Sequence, residues 1–506
     1  MNDLSTPKLV GSTNFPTAVQ SSARSALVPL LVLVILIAGF YIVTLRGGLS
    51  WGDDFAFYIH HAKNLLEGKP YSATGYIFNP SFPHVGPRQY PPGFPLMLVP
   101  VIALFGMNYT AMKVETILAF AAALFFIFML FRDRLPYWWS ILLIALIGLN
   151  PFFWGMRDDI ASDLPFFMVA CGTLWLIQWT YSSTKDDPHL ALALPVGLAI
   201  YVASAMRPLG LMLIPALGVY DLLKARRVRP FPLIAIAVAS LGAVLQMIVL
   251  GTDGRYAQLD FHPKWLGFSL LANVKDYRAC WLNGYSHPIS YGLFFAVVLV
   301  TVYGAWRSLH SGMRVYDLWA IFYFCVVVPY SVVVHRYLIP LVPILMLYLF
   351  IGLYALKDEL SPRVARIVFA CGAVLVVFSY GTSYVKAESG PIREGIFDPD
   401  FRALCSYIRL STRPSSRFIF RKPRLLTLET GRAAAVYHQP EDPTDLWKFI
   451  DSIGASYIVV ADVPNEEFNS DRTYLKRFVS AFPGRLLRVY QNRHYQVFRV
   501  AAANSP

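Results

Sequence analysis

The sequence predicts a polytopic α-helical membrane protein of about eleven transmembrane helices, N-terminus inside and C-terminus outside, with a C-terminal extracytoplasmic α/β domain. Three observations carry that prediction. Of 506 residues 56% are hydrophobic and only 15% charged, with 36 Phe, 29 Tyr and 11 Trp, a balance unlike that of soluble domains. Apolar runs of roughly 20 residues, the length that crosses a bilayer's hydrocarbon core, recur from Leu27 to Tyr384. After Tyr384 the composition turns polar, and residues 385–506 read as an ordinary soluble fold.

Residues 1–26 form a polar, Ser/Thr-rich tail expected in the cytosol. The apolar run after it lacks a small-residue cleavage pattern, so it reads as an uncleaved first span. Spans are expected at 27–45, 111–131, 137–150, 163–182, 190–205, 208–222, 231–250, 288–306, 316–332, 337–356 and 365–384. The segment 94–105 is apolar but short and opens on Pro91, Pro92 and Pro95; it reads as re-entrant or interfacial. Charge supports that choice. If 94–105 does not cross, Lys224, Arg226, Arg227 and Arg229 lie inside; if it crosses, this dense basic cluster moves outside, against the positive-inside tendency. Topology thereby accounts for much of the net charge of +13, and no nucleic-acid partner is invoked.

Under this parity the first loop (46–110), the turns 150–165 and 205–208, the long loop 251–287 and the segment 335–340 all face the outer side. In the C-terminal domain R-F-I-F, A-S-Y-I-V-V-A-D, R-L-L-R-V-Y and H-Y-Q-V-F-R-V read as strands. L-W-K-F-I-D-S-I-G and Y-L-K-R-F-V-S-A-F read as helices between them. No nucleotide-binding glycine loop, metal-spaced Cys/His set or internal repeat is evident. Of five cysteines, Cys171, Cys325 and Cys371 fall in apolar runs as small core residues. Cys280 and Cys405 face outward, and both pairing and free thiols stay open for them.

The polar residues that topology gathers on the outer side fall into three groups. In residues 50–95, Phe55, Tyr58, Ile59, Ala62, Leu65 and Leu66 recur at helical spacing, with His60, His61, Lys63, Asn64 and Glu67 between them. Gly68 and Pro70 stop this amphipathic helix. Asp53 and Asp54 stand at its start. One carboxylate suffices as an N-cap, whereas a second beside a membrane must be solvated, paired or used. Near an acceptor hydroxyl either can serve as general base.

Arg157, Asp158, Asp159 and Asp163 form the second group. Ser162 or Asp163 can cap the helix that Pro165 joins. The remaining carboxylates can orient the base or the acceptor, or hold a divalent ion with the first loop. The third group is cationic: Arg207, Arg336 and Arg88, with His335 and Tyr337. Arginines at helix ends snorkel to headgroups, but they also grip phosphate with paired hydrogen bonds. His60 is added to these candidate substrate-binding residues.

Carboxylates beside phosphate-gripping arginines suit the displacement of a lipid phosphate from a sugar by an acceptor hydroxyl. In these motifs the sequence resembles the GT-C glycosyltransferases, particularly the branch of protein O-mannosyltransferases and the lipid A aminoarabinose transferase. Asp53-Asp54 followed by F-A-F-Y resembles that family's acidic pair, and Y-P-P-G-F-P through Phe105-Gly106 its Pro-Pro segment. Ser162-Asp163 resembles the acid that opens a later helix, and Arg336, Tyr337 and Pro340 the R-Y-x-x-P element. The resemblance covers roughly the first 390 residues.

It implies an inverting transferase fed by a polyprenyl-phosphate sugar, with no cofactor required and a divalent cation possible. Asp53 is then the base, with Asp54 in place of the usual Glu leaving the choice between them open. Asp163 assists, and Arg336 with Tyr337 holds the lipid phosphate. The implied acceptor is an envelope glycan, glycolipid or protein. With no eukaryotic-style retention signal at 501–506, the expected location is a bacterial inner membrane with its active site on the periplasmic side. A lipid-linked sugar flippase is the rival reading, against which the clustering of charge at one face weighs.

Overall fold

The computed structural model describes residues 23–183, 187–251, 266–282, 287–329 and 335–501. Most of the expected cytosolic tail, parts of the loop 251–287 and the end of the span 316–332 lie outside those residues. Each of the eleven apolar runs falls on a helix. Among the described residues six helices are long and apolar enough to cross a membrane alone, and a seventh is a pair, Tyr137–Gly148 with Pro151–Asp158, bent by 40°. The bend sits where Pro151 removes a backbone donor. Asn150 compensates by accepting from the Phe152 amide (3.0 Å) and donating to the Tyr380 hydroxyl (2.8 Å) and the Cys280 carbonyl (3.1 Å).

Burial sorts the helices into centre and rim. Tyr109–Phe131 and Asp163–Ser182 pack on each other with 61% of their apolar windows buried, whereas Pro230–Leu250 has 11% and Pro362–Lys386 17%. Bare side chains such as Ile248 and Val377 are costly in water and at home in hydrocarbon, so these outer helices mark the lipid-facing rim. The segment expected to be re-entrant is a helix, Gly93–Phe105, packed against Asp54–Leu66, Tyr109–Phe131 and Ala193–Met206. Its 13 residues reach about 20 Å at 1.5 Å each, short of the roughly 30 Å core. Gly93 is what lets it dock: a Cβ there would stand 2.7 Å from the Met206 amide and 2.8 Å from the Ala205 carbonyl.

The loops gather at two ends. At one, Arg134 bonds Ser308, Ser311 and Gly312, and Arg229 joins Asp187 to Asp221. At the other, the turns 150–165, 205–208 and 335–340 meet the start of Asp54–Leu66. The helix Leu266–Leu282, within the segment 251–287 expected to be a long loop, also reaches the 335–338 turn. All five cysteines are free, and Cys280 and Cys405 are buried apart from solvent.

The C-terminal layer is built on a six-stranded sheet. Its strands are β1 (Tyr76–Ile77), β2 (Arg417–Ile419), β3 (Ala433–Ala435), β4 (Tyr457–Ala461), β5 (Leu486–Gln491) and β6 (Tyr495–Val500), in the order β1-β3-β2-β4-β6-β5. The first four in that order run parallel, and β6 and β5 close it antiparallel. The four strands expected from sequence are present; β1 and β3 are additional. β1 comes from the first loop, so the sheet draws strands from both sides of residue 385. The same loop is anchored again where Trp51 packs edge-on against Phe401 (5.3 Å) and Phe468 (5.2 Å), and where the Ile392 amide donates to the Gly47 carbonyl (2.7 Å).

Candidate active site

The site begins with two helix starts whose acids are not used as caps. Asp53 occupies the N-cap position of Asp54–Leu66, and Ser162 that of Asp163–Ser182, yet neither makes a side-chain capping bond. Both capping expectations therefore give way, and the acids are turned to other partners.

Asp54 and Asp163 share one guanidinium. Arg336 donates from Nη2 to Asp54 Oδ2 (2.8 Å), and its Nη1 stands 3.8 Å from Asp163 Oδ2. Arg207 takes the other Asp163 oxygen and lies over the Tyr337 ring at 5.4 Å. Asp163 is buried, with a side chain 2% exposed, whereas Asp54 and Arg336 are about a third open at 32% and 30%. The helix starts and the 335–338 turn thus bring Asp54, Asp163, Arg207, Arg336 and Tyr337 together. A divalent ion is a poor fit here: the carboxylates it would need face guanidiniums instead. Among the described residues no group of three or more His, Cys, Asp or Glu is gathered as a metal site.

The acidic pair is not symmetric. Asp53 is 10% exposed, accepts from the Leu425 amide (2.9 Å) and lies 3.9 Å from Arg424 Nε. Burial pushes its carboxyl up, against the pull of Arg424 and Lys422. Asp54 is also pushed up by burial, but Arg336, Arg424 and the Tyr90 hydroxyl outweigh that and hold it below the usual carboxylate range. Asp54 is therefore the more acidic and more accessible member.

Arg424, from the C-terminal layer, had no sequence signal beyond being one of 44 basic residues. Its guanidinium is fully buried and donates to the Tyr90 hydroxyl (2.9 Å), to Asp54 Oδ1 (3.3 Å) and to the Pro87 carbonyl (3.2 Å). Tyr90, inside the Y-P-P-G-F-P motif, donates to Asp54 Oδ1 at 2.6 Å and stacks on Tyr58, whose hydroxyl meets Ser162 at 2.9 Å. His61 supports this from behind: its Nε2 accepts from the Tyr90 amide (3.3 Å), and burial pushes its pKa down to about 3.

Three expected residues, His60, Arg88 and Asp158, lie outside this set of bonds. His60, three residues past Phe57, has a buried Nδ1 without a partner and no bond to the cluster among the described residues; its neighbour His61 is the one that faces Tyr90. Arg88 is exposed and lies over Phe78 at 5.5 Å. Asp158 holds the loop, accepting from the Arg46 amide (2.8 Å) and facing Arg157 (3.4 Å). The side chain of His335 lies outside the described residues. Asp159 is accessible but walled in, and that crowding, with Asp163 and Asp158 close by, pushes its carboxyl up to about 6.

No protein-family model and no curated protein matches the sequence. Solved structures do match the fold. The Archaeoglobus fulgidus oligosaccharyltransferase in complex with zinc and sulfate superposes with a TM-score of 0.60 at 12% identity, over 92% of this chain and 72% of that one. ArnT from Cupriavidus metallidurans bound to undecaprenyl phosphate gives 0.54 at 14% identity, over 95% and 99%. The arabinofuranosyltransferase AftD from Mycobacteria gives 0.52 at 13% identity, over 96% of this chain and 40% of that one.

Proposed function

We propose that this chain, which has the fold of the GT-C membrane glycosyltransferases, transfers a sugar from a polyprenyl phosphate to an acceptor hydroxyl with inversion. The observation that carries the reading is Arg336 strung between Asp54 and Asp163 at the mouth of an apolar helix bundle. The ArnT structure bound to undecaprenyl phosphate supports a lipid-phosphate donor. The acceptor is an envelope glycan, glycolipid or protein, and the site opens on the periplasmic side of a bacterial inner membrane.

Asp54 is the base. It removes the acceptor proton as the acceptor oxygen bonds the anomeric carbon and the bond from that carbon to the phosphate oxygen breaks. The departing phosphate takes the electron pair, and Arg336, Arg207 and Tyr337 stabilise it. At rest three carboxylates, Asp53, Asp54 and Asp163, face three guanidiniums, Arg207, Arg336 and Arg424. A donor phosphodiester adds one negative charge and competes with Asp54 for Arg336. Its arrival frees Asp54 from that cation and makes it a stronger base. Asp163 holds Arg207 and Arg336 in place for the phosphate.

The test is release of polyprenyl phosphate by detergent-purified protein given a panel of polyprenyl-phosphate sugars and crude envelope acceptor. Asp54→Asn is expected to lower turnover by roughly 10²–10⁴-fold with donor binding kept, and Asp53→Asn by much less. Turnover by wild type that survives in Asp54→Asn at full rate would remove Asp54 as base. A wild type that turns over nothing, yet equilibrates a lipid-linked sugar between leaflets of vesicles, would replace the transferase with a flippase.

A further inference from the structure

Arg424 is buried more completely than its immediate contacts require. The side chain is 0% exposed and lies over three rings, Phe57 at 4.4 Å, Tyr76 at 4.8 Å and Tyr90 at 4.9 Å. Burying a guanidinium costs several kcal/mol unless it is paired, and the partners here are the acidic pair and the tyrosine that binds it. The fold also makes room for it. Gly86 has φ +113°, and a Cβ there would stand 2.6 Å from Arg424 Nη2 and 3.2 Å from the Tyr90 hydroxyl. Facing each other inside this cage are Arg424 Nε and Asp53 Oδ2, 3.9 Å apart and each buried without a hydrogen-bond partner.

We infer that Arg424 is a positioning residue for the catalytic base, delivered to the membrane-end site by the C-terminal layer. It fixes Asp54 from the side opposite Arg336. When a donor phosphate draws Arg336 away, Asp54 still has Tyr90 and Arg424 on Oδ1, while Oδ2, released by Arg336, is the oxygen that turns to the acceptor. The neighbouring Leu425 amide pins Asp53 in the same way, so one short helix, Pro423–Thr430, sets both acids. The C-terminal layer is thereby part of the active site.

The catalytic part of this inference rests on the transferase reading, so its test includes a readout that does not need turnover. Water-soluble carbodiimide labels protonated carboxyls, and mass spectrometry of the peptide holding Asp54 gives the pH midpoint of its labelling. Full-length Arg424→Met is expected to raise that midpoint by roughly one to three pH units, while Arg424→Lys, which keeps the charge, stays near wild type. Should the Met variant fail to fold, Arg424→Gln carries the same expectation. In turnover, Arg424→Met is expected to lower kcat by about 10²-fold with donor affinity unchanged, unlike Arg336→Met, which loses affinity. A labelling midpoint equal to wild type in a folded Met or Gln variant overturns the inference. Wild-type protein without any turnover sinks the transferase reading and leaves the labelling result to decide this one.

Discussion

At the scale of single residues, the proposed mechanism has the charges of the site change partners when an anion enters, and pH resolves that change. In the free protein Asp54 is held below the usual carboxylate range, chiefly by Arg336 and Arg424 against the opposing effect of burial. A base must be ionised, so activity is lost as pH falls through its pKa. The acid limb of kcat/KM, which reports the free enzyme, is therefore expected only at low pH, whereas the acid limb of kcat, which reports the donor complex, lies at a higher pH. Superimposable acid limbs would show that the phosphate does not take Arg336 from Asp54. Asp159 gives a second signature. Burial, with Asp163 close by, pushes its carboxyl up to about 6, so on the proposed function it adds a like charge near the donor phosphate above that pH. KM is expected to rise severalfold as pH increases through 6, and Asp159→Asn to flatten the rise. An unchanged KM profile in that variant would place the phosphate away from Asp159.

At the scale of elements, what could be read from the sequence divides by how local the cause is. The membrane helices were legible because a bilayer demands long apolar runs whatever else the chain does. The helix Asp54–Leu66 was legible because its buried residues repeat at helical spacing. β1 and β3 were not: two and three residues long, they lack any period and exist only because distant chain supplies the partner strand. Arg424 was invisible for the same reason, since 370 residues separate it from Asp54. The C-terminal layer also carries a buried acid that no sequence pattern marks. Asp471 accepts from the Tyr437 hydroxyl (2.5 Å) and the Ala461 amide (2.8 Å), and burial pushes it up to about 7. Its folded pKa exceeds the unfolded value near 4, so its contribution is fully present below pH 4 and is lost as pH rises through 7. The expected effect is on the order of a few kcal/mol. Urea midpoints for protease protection of the C-terminal peptides should fall between pH 4 and 7, and Asp471→Asn should flatten that slope. A slope unchanged in the variant would assign it to other groups.

At the scale of the whole molecule, the first loop and the C-terminal layer share one sheet. β1 pairs with β3 in register, Tyr76 opposite Ala434 and Ile77 opposite Ala435, and Trp51, three residues before Asp54, is gripped by the aromatic core of the same layer. If donor entry required the C-terminal layer to swing off the bundle, this sheet edge would have to part and Arg424 would have to leave its cage, stranding a guanidinium and two carboxylates at once. On the proposed function, the opening for donor and acceptor instead lies along the accessible side, where Asp54, Asp159 and Arg336 are open. Cysteines at 77 and 435 test this directly, because neighbouring strands hold Cα atoms within the 4.4–6.8 Å a disulfide spans. In a background with the two exposed cysteines changed, Cys325→Ser and Cys371→Ser, oxidised Ile77→Cys/Ala435→Cys is expected to turn over donor as fast as the reduced form. Loss of turnover on oxidation, regained on reduction, would mean that the sheet opens in every cycle and that Arg424 departs with it.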